Sequence, residues 1–97
     1  MKALQEIKQI ISTHKRQLAR DYHVSKIGIF GSYVSGLSSE KSDIDILVEF
    51  EKPVGFVKFI RLENYLSDLI GVKVDLVTKK ALKPYIGQNI LRELESV

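Results

Sequence analysis

The apolar residues change period several times along the chain, and each change marks an element. Over residues 2–22, Leu4, Ile7, Ile11, Leu18 and Tyr22 recur at helical spacing, with Ile10 beside the stripe and Lys, Gln and Arg opposite. That pattern predicts one amphipathic helix. Ile27, Ile29 and Phe30 then make a short apolar run, a strand over residues 26–30. Gly31 permits a tight bend, and residues 32–36 read as a helical turn begun by Ser32 as N-cap and closed by Gly36. Residues 37–42 are polar and aperiodic, hence a loop. Strict alternation follows over residues 44–50. Ile44, Ile46 and Val48 share one face, and Asp43, Asp45 and Leu47 the other.

Pro53 and Gly55 stop this second strand. Phe56, Phe59, Ile60, Leu62, Leu66, Leu69 and Ile70 predict a second long helix, with Gly71 just beyond its end. In residues 72–77, Val72, Val74 and Leu76 face one side of a third strand, and Lys73, Asp75 and Val77 the other. Residues 78–83 connect to a last helix, with Pro84 in its first turn and Ile86, Ile90, Leu91, Leu94 and Val97 as its stripe. The order of elements predicts an α/β fold over residues 1–97, one small domain. Its core is a small mixed three-stranded sheet with helices mainly on one face and the other face open.

The open face carries the chemistry. A Gly31-Ser32 turn at a helix start presents backbone N–H groups suited to a phosphate. Asp43 and Asp45 project side by side, and like charges that close repel unless a cation neutralises them. A hard divalent ion such as Mg²⁺ suits clustered carboxylate oxygens, with substrate phosphates completing its shell. Turn and carboxylates therefore ask for one ligand, a metal-bound nucleotide. Asp75 is poor strand material inside a β-branched run. On a strand about 4.8 Å from the second, it would stand beside the other two acids as a third ligand. His14, on the first helix's stripe, reads as a helix-face or core-edge side chain, and His23, in the link that follows, as structural or solvated.

Gly31-Ser32, ten intervening residues and Asp43-Ile44-Asp45 resemble the signature of the polymerase-beta-like nucleotidyltransferase superfamily. Within it the short chain is similar to the minimal nucleotidyltransferases (MNT), from about residue 26 to the C-terminus. The resemblance implies a palm-like core and transfer of AMP from ATP, with pyrophosphate leaving. Asp43, Asp45 and Asp75 would be the catalytic residues and the ligands of two Mg²⁺ ions. Gly31, Ser32 and Ser42 would bind the nucleotide. It also implies a partner, a HEPN-family toxin whose tyrosine receives AMP, with this chain as its antitoxin. One departure stands out. Many members carry arginines after Gly-Ser, where this chain has Tyr33 and Ser35. Their loss implies either a low triphosphate affinity or rate, or compensation by another residue such as Lys41 or Lys73.

Composition changes this picture little. At 44% hydrophobic and 28% charged, 97 residues can build a core. No run approaches the roughly 20 apolar residues of a membrane span, and the charged N-terminus is no secretory signal. With no cysteine, disulfides and thiolate metal sites are excluded, and a cytoplasmic location is expected. A net charge of +3 is modest for a nucleic-acid binder, so none is expected. The basic pairs Lys15-Arg16 and Lys79-Lys80, with Lys83 nearby, read as solvated faces. A chain this short holds no acceptor-binding domain and must borrow that surface, as a hetero-oligomer with the toxin or a homodimer. Two other readings stay open: an antitoxin acting by steric contact alone, with nucleotide binding vestigial, and a small-molecule nucleotidyltransferase of the antibiotic-modifying kind.

Overall fold

The alternating segment around Asp45 lies inside the sheet, flanked by strands on both sides. The computed structural model describes residues 2–37, 42–82 and 84–97, without the side chains of 84–87 and 89. Lys41 and Lys83 lie outside the described residues, as does the side chain of Ile86. The chain runs α1 (Leu4–Thr13), α2 (Lys15–Tyr22), β1 (Val24–Phe30), α3 (Ser32–Ser35), β2 (Ile44–Phe50) and α4 (Phe56–Ile70). It continues through β3 (Val74–Thr78), a 3₁₀ turn (Lys79–Ala81), α5 (Pro84–Glu93) and β4 (Glu95–Ser96). The strand order is β3-β2-β1-β4, with β2 antiparallel to β1 and parallel to β3, and β4 antiparallel to β1. The sheet is mixed, as expected for this α/β fold.

One sheet face meets the long helices. Ile27 and Ile29 of β1, Ile44, Ile46 and Val48 of β2, and Val74 and Leu76 of β3 form one buried cluster with Ile7, Ile11, Leu18, Leu62, Leu66 and Ile70. Each fully buried aliphatic chain contributes roughly 1.5–3 kcal/mol of transfer free energy. The period-2 positions of the strands thus seat on the period-3.6 stripes of α1, α2 and α4. Among the described residues, no helix is long and apolar enough to cross a membrane.

Three expectations change. The helix expected over residues 2–22 is interrupted at His14, whose backbone leaves helical geometry at φ −105°, ψ 9°. Thr13 Oγ1 donates to the Gln9 carbonyl at 2.9 Å, and His14 Nδ1 stands 2.8 Å from the Ile10 carbonyl. Side chains that bond the backbone four residues back compete with the helical ladder. His14 sits half-buried at the core edge, as expected.

The sheet has a fourth strand. Residues 95–96 do not continue the last helix but pair with β1 through Gly28↔Ser96 and Ile29↔Glu95. Val97 N–H donates to the Ile27 carbonyl at 3.0 Å, Lys15 Nζ donates to the Val97 carbonyl at 2.8 Å, and Lys8 pairs with Glu95 at 3.3 Å. A free edge of β1 offers unpaired N–H and C=O groups, and three residues of backbone satisfy part of it. Helical periodicity cannot register that demand.

Nor is the second sheet face open along its length. Leu94 lies over Gly28, where a Cβ would meet Leu94 Cδ1 at 2.7 Å. Leu47, paired with Gly28 in the ladder, is buried there as well. A side chain at position 28 would have to displace Leu94.

His23 follows α2 in the left-handed region at φ 60°, ψ 29°, and its N–H donates to the Ala19 carbonyl at 3.1 Å. A side chain in that conformation costs about 1 kcal/mol relative to glycine. His23→Gly should raise stability by about that amount and the melting temperature by several degrees. A thermal melt with no increase would show that the imidazole makes compensating contacts.

Candidate active site

Three elements place the acids. β1 delivers the chain to Gly31, which at φ 79°, ψ −149° is the N-cap of α3 in place of the expected Ser32. Its carbonyl accepts the N–H groups of Val34 and Ser35, each at 3.0 Å. The ladder pairs Phe30 with Asp45 and Asp45 with Asp75. Partners in register project to the same side of a sheet, so Asp45 and Asp75 share the face opposite the Ile44, Ile46 and Val48 core. A Cβ at Gly31 would fall inside contact distance of Asp45 Oδ2 and 3.0 Å from its Cγ. The carboxyl group therefore lies directly against the glycine turn. Asp43 and Ser42 immediately precede β2, and Ser32 opens α3. All six residues singled out in the sequence come to one end of the sheet. Ser42 and Ser32 are half-buried, Asp43 and Asp75 exposed.

Electrostatics single out Asp45. Its pKa is raised, first by burial and then by the charges of Asp75 and Asp43. A raised carboxylate pKa means the folded chain holds the proton more tightly than the unfolded one. Stability from this group is then lost as pH rises through its ordinary value toward the folded one, and at neutral pH the charge is a penalty. Asp45→Asn keeps the shape and removes the charge, so without metal it should melt a few degrees higher than the parent chain. An equal or lower melting temperature would mean that the carboxylate is stabilised in a way its surroundings do not reveal.

The edge strand carrying Asp75 is held from outside. Val74 N–H donates to Ser67 Oγ and Leu76 N–H to Glu63 Oε2, both at 2.9 Å. Two side chains of α4 thus occupy the free edge of β3 on either side of Asp75, which fixes register and blocks further pairing. Sequence reasoning missed Glu63 and Ser67. Their signal was two polar residues at i, i+4 beside the Leu62/Leu66 stripe, a pattern that also fits any solvated helix flank.

A donor set made only of carboxylates, with mutual repulsion felt at its most buried member, fits a hard divalent cation. Among the described residues no three acidic, histidine or cysteine side chains stand close enough to cage a metal by themselves. Mg²⁺ does not demand such a cage, because it takes one or two carboxylates and completes its shell with water and phosphate oxygens. A groove of about 720 Å³, lined among others by Phe50, Val54, Phe56, Phe59 and Lys80, lies at the far ends of β2 and β3. It holds none of the three aspartates, and the candidate chemistry stays with Asp45.

Comparison with known proteins identifies the family and the fold. The protein adenylyltransferase MntA of Thermococcus cleftensis is 49% identical over 94 residues, covering 97% of this chain and 95% of that one. A solved structure described provisionally as a minimal nucleotidyltransferase superposes with a TM-score of 0.81 at 30% identity, over 99% of this chain and 95% of that chain. A toxin–antitoxin crystal structure with AMP-PNP gives 0.71 at 26% identity, over 87% and 69%. The fold is shared, at 23% identity and a TM-score of 0.65 over 92% and 70%, with a complex of tri-AMPylated Shewanella oneidensis HEPN toxin and MNT antitoxin. The model of the nucleotidyltransferase domain matches residues 11–97. The chain belongs to the nucleotidyltransferase domain family and, within it, to the minimal nucleotidyltransferases.

Proposed function

We propose that this chain transfers AMP from ATP to a tyrosine hydroxyl of a HEPN-family toxin and thereby acts as its antitoxin. The observation that carries the reading is the ladder pairing of Asp45 with Asp75 against the Gly31 turn. Relatives named as protein adenylyltransferases and toxin–antitoxin neighbours support the partner class.

The residues divide the work. Asp43 and Asp45 would hold both Mg²⁺ ions and Asp75 the one on the attacking side. Held there, such ions would supply charge neutralisation for an in-line displacement. Gly31 and Ser32 contact the β/γ-phosphates through backbone N–H and hydroxyl groups, and Ser42 borders the nucleotide beside Asp43. The acceptor oxygen attacks the α-phosphorus as its proton passes to Asp75. The bond to the bridging oxygen breaks, and pyrophosphate departs. Positioning and fixed charge supply most of the acceleration, as in phosphoryl transfer generally. The exposed position of Asp75 leaves the acceptor side open, so the partner supplies its wall. The acting species in this reading is a hetero-oligomer with the toxin.

The test is intact-mass spectrometry of the HEPN partner incubated with this chain, ATP and Mg²⁺. A mass increase of one or more AMP units is expected. An unmodified partner at saturating ATP would end the catalytic reading. A second reading has one observation in its favour. Tyr33 is buried in the core and the Ser35 hydroxyl donates to the Ser32 carbonyl at 3.4 Å, so neither presents a cation to phosphate. An antitoxin working by contact alone would still rescue growth when its aspartates are replaced.

A further inference from the structure

Asp43 and Lys73 stand two residues before the paired Asp45 and Asp75, each immediately ahead of its strand. Ile44 N–H donates to the Lys73 carbonyl at 2.9 Å, which locks the two backbones together at this point. Alternation puts Lys73 on the side of Asp75, and its Nζ lies 3.9 Å from Asp43 Oδ2. The exposed end of the sheet is therefore a block of three carboxylates and one ammonium group. Among the described residues this is the one ion pair that involves any of the three acids. The short helix after Gly31 carries no basic residue. The Lys73 side chain is 79% exposed and its partner 47%. A pair so exposed is weak and easily exchanged.

We propose that Lys73 is a phosphate-binding residue of this site. In the nucleotide-free chain Asp43 holds its ammonium group. When a nucleoside triphosphate binds, the group turns to the β/γ-phosphates, where more negative charge is concentrated than on one carboxylate. The four-carbon stem and three rotatable donors of lysine suit such an exchange, which a rigid guanidinium fork would make less readily. Lys73 then stabilises the departing pyrophosphate while Asp43 is released for the cation. This assignment rests on the nucleotidyl-transfer reading above and names the residue that replaces a missing positive charge.

Calorimetric binding of ATP and of AMP, each with Mg²⁺, to the parent chain, Lys73→Met and Lys73→Arg tests it. The methionine variant should bind ATP about tenfold more weakly or worse, as for loss of a charged hydrogen bond, with AMP affinity unchanged. The arginine variant should recover most of the difference. Equal ATP affinity in parent and Lys73→Met would overturn the assignment. So would equal losses for ATP and AMP, which indicate a general field and no contact with the outer phosphates. A parent chain that binds no ATP removes the nucleotidyl-transfer reading and this assignment together, whereas one that binds and transfers AMP as well with methionine as with lysine removes this assignment alone.

Discussion

Replacing Asp43 and Asp45 by alanine should abolish AMP transfer, with a loss of about a thousandfold or more. The two carboxylates are the expected holders of every cation that neutralises the transferring phosphoryl group. Removing even one preorganised electrostatic contact to a developing charge commonly costs two to three orders of magnitude, about 4 kcal/mol at the upper end. The usual objection to such a result is that the variant has unfolded. Here the opposite is expected. Asp45 is a half-buried charge whose protonation is favoured by burial and by Asp75 and Asp43. Its loss should leave the metal-free fold as stable as before or more so. A protein that melts no lower than the parent yet transfers nothing would place the defect in chemistry. Residual transfer within tenfold of the parent would show that the acids are not the metal site. Intact-mass time courses of the partner, alongside melts of the free chain, give both readouts.

Gly31→Ala should damage fold and activity together, for two separable reasons. The backbone at φ 79°, ψ −149° lies at the border of a region essentially reserved for glycine. Forcing an L side chain there costs about 1–3 kcal/mol. The new methyl would also fall within contact distance of Asp45 Oδ2, so either the turn or the carboxylate must move. A loss of about 2 kcal/mol lowers the melting temperature of a domain this size by roughly 10 °C. Displacement of Asp45 should also reduce transfer, by less than the double aspartate substitution does. The two causes part in a double-mutant cycle. In an Asp45→Gly background the steric share vanishes and only the backbone share remains, so Gly31→Ala should cost less there. An undiminished cost would locate all the damage in the backbone and none in the carboxylate contact.

The candidate site was largely legible because both halves of it are local. Gly31-Ser32 and Asp43-Ile44-Asp45 are short segments whose chemistry follows from residue type and from the two-residue period of a strand. The face of the sheet on which Asp45 lies needed only that alternation. Asp75 was legible at one remove, as an acid out of place among Val74, Leu76 and Val77. Its pairing with Asp45 depends on parallel register, which alternation does not specify. Glu63 and Ser67 were not legible as supports, because a helix pattern shows which residues face the core but not which polar neighbours reach a strand edge. The fourth strand failed for a similar reason. Leu94 and Val97 fit a helical stripe, yet the unpaired edge of β1 draws residues 95–97 into extended pairing.

By itself the sequence determined the α/β class, the core-facing stripes, the glycine turn and the identity of three acids, since each depends on periodicity or on the chemistry of a few adjacent residues. Tertiary structure alone decided that Asp45 stands opposite Asp75 and that Lys73 reaches Asp43. It likewise decided that Leu94 closes over Gly28 and that the chain ends as an edge strand. The physical reason is common to all four. Each is a contact between segments distant in the chain, chosen by hydrogen-bond register and available surface, which have no signature in the local order of residues.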